Sequence, residues 1–140
     1  MSTVLTDQVR DVVTAGRLGH MVTLNPDGSP QVSLVWVGLD GDQIVTAHMA
    51  AWRKVQNLQR DPRVALSIEA EGSDERGLDH YLVVQGTAEV TLGGAAPLLQ
   101  RLAEVYLGPG VKFPPVDDPE VGFVVRITPN RIGGVGPWAS

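Results

Sequence analysis

The sequence predicts a mainly β domain of α+β composition: a small closed or partly closed antiparallel barrel of six or seven strands with three short helices at its ends. Three observations carry this reading. Apolar stretches rich in β-branched residues recur with turn dipeptides between them. Only three stretches keep helical i, i+3/i+4 spacing. The β–α alternation that builds a parallel sheet is absent, so hairpins and one helical crossover must join the strands. At 140 residues, positions 1–140 make a single domain with room for one core.

The elements follow in order. TDQVRDVVTAGR (6–17) is helical, with Leu5, Val9, Val12 and Val13 on one face, Thr6 or Asp7 as cap, and Gly16 or Gly19 as terminator. Residues 19–48 read as three strands. NPDGSP (25–30) separates the first two: Pro26 presets φ, Asp27 makes an Asx bond and Gly28 accepts positive φ. Asp40-Gly41 marks the second hairpin. A helix from about Ala51 to Arg60 stops before Asp61-Pro62, because a residue preceding proline is pushed out of the α region. RVALSIEA (63–70) is a strand with Val64, Leu66 and Ile68 on one face, and EGSDERGLD (71–79) a polar loop. HYLVVQGTAEVTL (80–92) is a long strand with a bulge or bend at Gly86. GGAAPLLQRLAEVYLG (93–108) is a helix with Leu98, Leu99, Leu102, Val105 and Tyr106 inward, ended by Gly108. KFPPVDDPE (112–120) is a Pro-rich loop. VGFVVRITPNRIGGVGPW (121–138) gives a last strand, then a short strand or tail.

Composition removes several classes of function. With no cysteine, disulfides, thiol catalysis and Cys-held metal centres are excluded. A net charge of −5 lacks the basic field that nucleic-acid binding needs. No apolar run approaches the ~20 residues of a membrane span, and the N-terminus carries no basic-then-apolar signal pattern, so a cytoplasmic protein is expected. His20, His48 and His80 stand at no metal-ligand spacing, and no metal site is expected. No GxSxG elbow places a nucleophilic serine. Gly133, Gly134 and Gly136 do not open a helix, so they are no dinucleotide loop.

One stretch points to a ligand. QIVTAHMAAWRKVQNLQRDP (43–62) is a buried strand running into a helix whose first turn carries Arg53 and Lys54. Cations there oppose the macrodipole, at a cost of roughly 0.3–1 kcal/mol each when exposed. The unpaired N–H groups of that turn bind anions. A phosphate-sized anion would satisfy donors and cations together; a solvated helix face is the other reading of these residues. Arg60 and Arg63 extend the local basic patch. Without a self-sufficient catalytic set, redox chemistry would come from a cofactor.

The segments DGSPQVSLVWVGLDGDQIVTAH (27–48), WRKVQNLQRDPRVALSI (52–68) and YLVVQGTAEV (81–90) resemble the pyridoxamine-5′-phosphate-oxidase-like superfamily of split β-barrel proteins. Within it the chain is most similar to the actinobacterial enzymes that use the deazaflavin F420. NPDGSPQVSLVW, the RKxxNLxRDPR signature and TPNRIGGVGPW (128–138) match in order and separation. The resemblance implies a split antiparallel β-barrel and a homodimer with a cofactor groove at each end of its interface. It also implies hydride transfer from reduced F420 to a small conjugated substrate. The alternatives are an FMN-binding flavoprotein of the pyridoxamine-phosphate-oxidase type and a flavin- or haem-binding protein without turnover.

Residue by residue, Arg53 and Lys54 would hold the cofactor phosphate. Gln31, Ser33, Val35 and Trp36 would line the ring pocket, and Thr46 and Ala47 would approach the ring through backbone. Asn57, one turn after Arg53, would face the same groove. No catalytic residue is assigned. Arg126 and Arg131 are the only late candidates for the second phosphate grip of vitamin B6 oxidases. The apolar strands YLVVQG and VGFVVRI suggest an obligate dimer, with Trp138 either reaching the partner's groove or lying in a tail.

Overall fold

Thr6 caps the first helix, its hydroxyl accepting from the Val9 N–H at 3.4 Å. In the computed structural model, which describes residues 5–115 and 118–139, that helix is α1 (Asp7–Val13) and buries Val9, Val12 and Val13. It ends at Val13, before either glycine: Thr14 is the C-cap, Gly16 (φ +78°) turns the chain, and Gly19 already lies in a strand. The strands are β1 (Gly19–Leu24), β2 (Pro30–Val35), β3 (Gly38–Asp40), β4 (Gln43–His48), β5 (Arg63–Ser73), β6 (Asp79–Leu92) and β7 (Phe123–Val135). The remaining helices are α2 (Arg53–Arg60) and α3 (Ala95–Tyr106).

Local chemistry sets most connections. Between β1 and β2 the Asn25 N–H donates to the Ser29 carbonyl (2.8 Å), and the Ser29 N–H to Asp27 Oδ1 (3.0 Å). This is the Asx turn the sequence requires. α2 starts at Arg53, two residues later than expected, and stops at Arg60 as Asp61 turns extended ahead of Pro62. β5 runs on through Ser73, past the expected strand end at Ala70, so only Asp74–Leu78 forms the turn. Asp74 Oδ1 accepts from the Arg76 and Leu78 N–H groups there (2.9 Å each). The register of β6 against β7 shifts between Gln85 and Gly86. A Cβ on Gly86 would stand 2.2 Å from the Thr128 carbonyl oxygen, so the bulge admits only glycine. β7 is one continuous strand where a strand and a short second piece were expected. In the Pro-rich 112–120 stretch, Val116 and Asp117 lie outside the described residues.

All seven strands form one antiparallel sheet in the order β2-β1-β5-β6-β7-β4-β3. This corrects the expectation of a split barrel, because the sheet is not closed. Its edges β2 and β3 are consecutive in the chain, yet no ladder joins them. The Val37 N–H, between the two edges, donates to the Tyr106 hydroxyl (2.9 Å), which donates in turn to the Arg17 carbonyl (2.7 Å). The N–H in the short link between the two edges is thus satisfied by α3.

Met21, Ile44, Leu66, Ile68, Leu82 and Ile127 fill the core on the sheet's inner face, covered by Val9 and Val13 of α1 and Leu58 of α2. Each such side chain contributes roughly 1.5–3 kcal/mol by burial. α3 packs a second, smaller cluster, Ala95 and Leu99 against Ala47. Leu102 is buried as expected, but Val105 is exposed. Gly38 permits the close approach of α3: a Cβ there would lie 2.7 Å from the Leu102 Cδ2 methyl. Trp138 folds back on its own chain, its indole N–H donating to the Tyr81 carbonyl (3.3 Å) and its ring edge-on to His80.

Candidate functional site

Where β2 ends, β4 ends and α2 begins, the surface opens into a cleft of about 330 Å³. Trp36 forms one wall. Its indole stacks on Tyr106 (centroids 5.3 Å apart) and meets Phe113 at a tilt (5.4 Å). Val35, Ala47 and Leu99 supply an apolar floor, while Trp52 and Lys54 enter from the start of α2. Only His48 and Lys54 among the lining side chains carry a charge or a strongly polar group.

The nine residues picked from sequence separate. Val35, Trp36, Ala47 and Lys54 line this cleft together. Gln31, Ser33 and Val35 share the inner face of β2, beside Thr23 and Met21 of β1. There Gln31 accepts from the Thr23 hydroxyl (3.2 Å). The Ser33 hydroxyl is enclosed and is the sole buried side-chain polar atom without a partner among the described residues. Asn57 is buried and spent: its amide donates to Thr23 Oγ1 (3.0 Å) and Asn25 Oδ1 (3.1 Å). Thr46 is wholly buried, its hydroxyl 2.8 Å from His48 Nε2.

The four-residue basic patch divides as well. The Arg60 guanidinium donates to the Leu24 carbonyl and to Asn57 Oδ1. Arg63 forks onto Asp61 (2.7 and 3.1 Å), and these hydrogen bonds pull the Asp61 carboxyl down to a pKa of about 2. Arg53 and Lys54 have no carboxylate within salt-bridge distance among the described residues. Arg53 is exposed; its charge adds a small share to the lowering of the Asp27 pKa, which the Ser29 hydroxyl dominates. Lys54 is half-buried, and loss of solvent around its ammonium lowers its pKa below that of a free lysine. Trp52, the N-cap of α2, offers no side-chain acceptor, and the first turn holds no acid. Unsatisfied N–H groups and a desolvated cation at one helix end fit a phosphate or other anion. Beside them, the aromatic wall fits a flat ring.

Sequence reasoning missed His48, Trp52, Met49 and Phe113, which also line the cleft. Thr46 and His48, two apart on a strand, share a face, and that alternation was the available signal. Burial first, and the Lys54 charge second, lower the His48 pKa to about 4, so the imidazole is neutral near pH 7. A larger cleft, about 810 Å³, lies on the other side of α3. Its arginines are engaged, Arg126 with Asp40 (2.6 Å) and Arg101 with the Leu39 carbonyl (3.0 Å), so the chemistry sits better in the smaller cleft. Among the described residues no three His, Asp or Glu side chains gather to hold a metal ion, and no helix is long and apolar enough to cross a membrane.

The fold is an open antiparallel sheet with a helix N-terminus beside an aromatic cleft. Residues 5–133 match the model of the pyridoxamine 5′-phosphate oxidase family, and the chain belongs to that family. It is similar to a solved structure described as an F420 reductase, at 26% identity and a TM-score of 0.72, covering 89% of this chain and 94% of that one. A conserved hypothetical protein of Mycobacterium tuberculosis is also 26% identical (TM-score 0.73), with 95% and 85% of the two chains covered. A heme-binding protein of Mycobacterium smegmatis shares the fold at 21% identity (TM-score 0.66), over 100% of this chain and 57% of that one.

Proposed function

We propose that this protein is an oxidoreductase that binds a phosphate-bearing, flavin-type cofactor at the N-terminal end of α2. The observation that carries this is Lys54: a half-buried cation with no carboxylate partner among the described residues, set between an uncapped helix start and an aromatic cleft. Lys54 and the first N–H groups of α2 hold the phosphate, with Arg53 at the rim. Val35, Trp36 and Ala47 bear on the ring, and the small Ala47 leaves room for close approach. When bound in its reduced form, the cofactor supplies a hydride to an electron-poor double bond. The chain orients the partners and keeps water out.

The finer reading takes F420 as cofactor and a small conjugated molecule as substrate, supported by the likeness to the protein described as an F420 reductase. FMN is the second reading, favoured by the family match over residues 5–133. A homodimer completes the site: Val32 (61% exposed) and Leu34 (56%) on the outer face of edge strand β2, with Trp52 (56%), form an apolar surface beside the cleft. Titrating the purified protein with F420 and with FMN, following quenching of Trp36 and Trp52 fluorescence, separates the readings. Micromolar FMN binding without F420 binding overturns the F420 reading; binding of neither overturns the cofactor reading. Sedimentation showing a stable monomer at micromolar concentration overturns the dimer.

A further inference from the structure

His48 and Lys54 are the two polar side chains of a largely apolar cleft, and the hydrogen bonding of His48 can be counted. The ring is 6% exposed, and its neutral form has one donor nitrogen and one acceptor nitrogen. Nε2 lies 2.8 Å from the Thr46 hydroxyl. Thr46 is 0% exposed and has no other side-chain hydrogen-bond partner among the described residues. A buried hydroxyl hydrogen left without an acceptor is costly. The Thr46 hydroxyl hydrogen is satisfied only when it is donated to Nε2, the arrangement that puts the ring hydrogen on Nδ1. That nitrogen has no hydrogen-bond partner among the described residues, yet it is not sealed in as the Ser33 hydroxyl is. His48 lines the cleft, which is the open side available to that nitrogen.

We infer that His48 is a ligand-recognition residue, its Nδ1–H oriented by Thr46 to donate to an oxygen acceptor on a flat apolar molecule lying against Trp36. The polar equipment of the cleft is then donor-only, from His48 and Lys54. It selects carbonyl, nitro or carboxylate oxygens and disfavours ligands that present a hydroxyl or amine hydrogen there. Thr46 is a positioning residue that acts through the imidazole. The inference rests on the proposed reading of this cleft as the ligand site. It is independent of which cofactor binds.

The test uses the full chain without cofactor and two probes of matched shape, 2-acetylnaphthalene with a carbonyl acceptor and 2-ethylnaphthalene without one, measured by equilibrium dialysis. His48→Phe keeps a ring of similar size and removes the donor. It is expected to weaken acetylnaphthalene binding about tenfold, the loss of one hydrogen bond, while ethylnaphthalene binding is unchanged or tighter. His48→Asn, whose amide nitrogen falls near the place of Nδ1, is expected to restore most of the difference, and His48→Gln is not. In 15N spectra of the wild-type chain, the His48 ring is expected as the Nδ1–H tautomer, with that signal moving on addition of acetylnaphthalene and the bias lost in Thr46→Val. The spectra decide the matter even where His48→Phe does not fold. Parallel changes for both probes, an Nε2–H tautomer, or no acetylnaphthalene binding to the wild-type chain overturns the inference. Cofactor titrations fail or succeed separately: a chain that binds neither FMN nor F420 but discriminates the probes through His48 keeps this inference and loses the cofactor reading.

Discussion

The indole of Trp36 and the ring of Tyr106 lie face to face, with centroids 5.3 Å apart and planes 11° from parallel. The same tyrosine takes the Val37 N–H on its hydroxyl at 2.9 Å. One residue of α3 thereby backs the cleft wall and ties the link between β2 and β3 to the helix. Tyr106→Phe keeps the stack but leaves the N–H of buried Val37 without its acceptor. The expected cost is about 1–3 kcal/mol of stability, read from urea unfolding. Because the wall would lose its anchor, the fluorescence of Trp36 is expected to change as well. An unchanged unfolding midpoint would show that water replaces the bond and that the hydroxyl does not hold the edge.

Gly86 allows a sharper prediction, since what a side chain would meet there is backbone. The Thr128 carbonyl oxygen, 2.2 Å from a built Cβ, belongs to the paired strand β7 and cannot swing aside. Gly86→Ala is expected to lose about 3 kcal/mol or more, at the top of the range for overpacking. Gly77→Ala meets no atom within 4 Å and bears only the strain of its positive φ of +87°, so it should cost less. Thermal unfolding of the two variants side by side tests the ranking.

These two glycines also show which parts of the structure could be read in the sequence. The Asn25–Ser29 turn, the Asp40-Gly41 hairpin, the helix stop before Pro62 and the Gly86 bulge were legible because each depends on dihedral preferences of adjacent residues. Closure of the sheet was not. It depends on which strands pair across the sheet, such as β1 with β5 and β4 with β7, and no local pattern reports pairings so far apart in the chain. Asn57 looked like a groove residue because it follows Arg53 by one helical turn. Its actual partners, Thr23 and Asn25, stand 34 and 32 residues away. Arg60 and Arg63 read as part of one basic patch with Lys54, but their guanidinium groups are taken by Leu24, Asn57 and Asp61, and composition does not carry those partners. Conversely, the Thr46–His48 pair follows from the period-two alternation of β4, although the three histidines show no metal spacing.

The buried His48 makes stability depend on pH with a definite sign. Its folded pKa, about 4, lies below the ordinary value of about 6.5, chiefly through burial and secondarily through Lys54. Below pH 6.5 the unfolded chain takes up a proton that the folded chain resists, so this contribution is fully present above pH 6.5 and is lost as pH falls towards 4. The full loss is roughly 3 kcal/mol for a shift of this size. Asp61 acts lower: its carboxyl, held at about 2 by Arg63, withdraws its contribution only as pH falls below the ordinary carboxylate range. Urea unfolding at pH 7, 6, 5 and 4 is expected to show a decline that His48→Gln flattens over that interval. An equal decline in both chains would assign the acid sensitivity to other groups.

Lys54 brings stability and binding into opposition, and that opposition makes it the most informative substitution. Without an anion, the ammonium sits half-buried at the positive end of α2, with its pKa lowered by desolvation and no carboxylate beside it among the described residues. Such a cation contributes little to folding or opposes it slightly. Lys54→Ala is therefore expected to leave unfolding free energy almost unchanged, and Lys54→Met, which keeps the apolar stem in the cleft, to raise it slightly. With the cofactor phosphate in place, the same group makes a charge-assisted hydrogen bond. Its loss should weaken FMN or F420 binding by about 1.5–3 kcal/mol in both variants. Arg53→Ala, at the exposed rim, should weaken binding less, because solvent screens its charge. Fluorescence titrations paired with urea unfolding measure the two effects on the same samples. If Lys54→Ala binds both cofactors as the wild type does, the start of α2 is a solvated helix end, and a ligand in this cleft must be held by its aromatic wall and His48 alone.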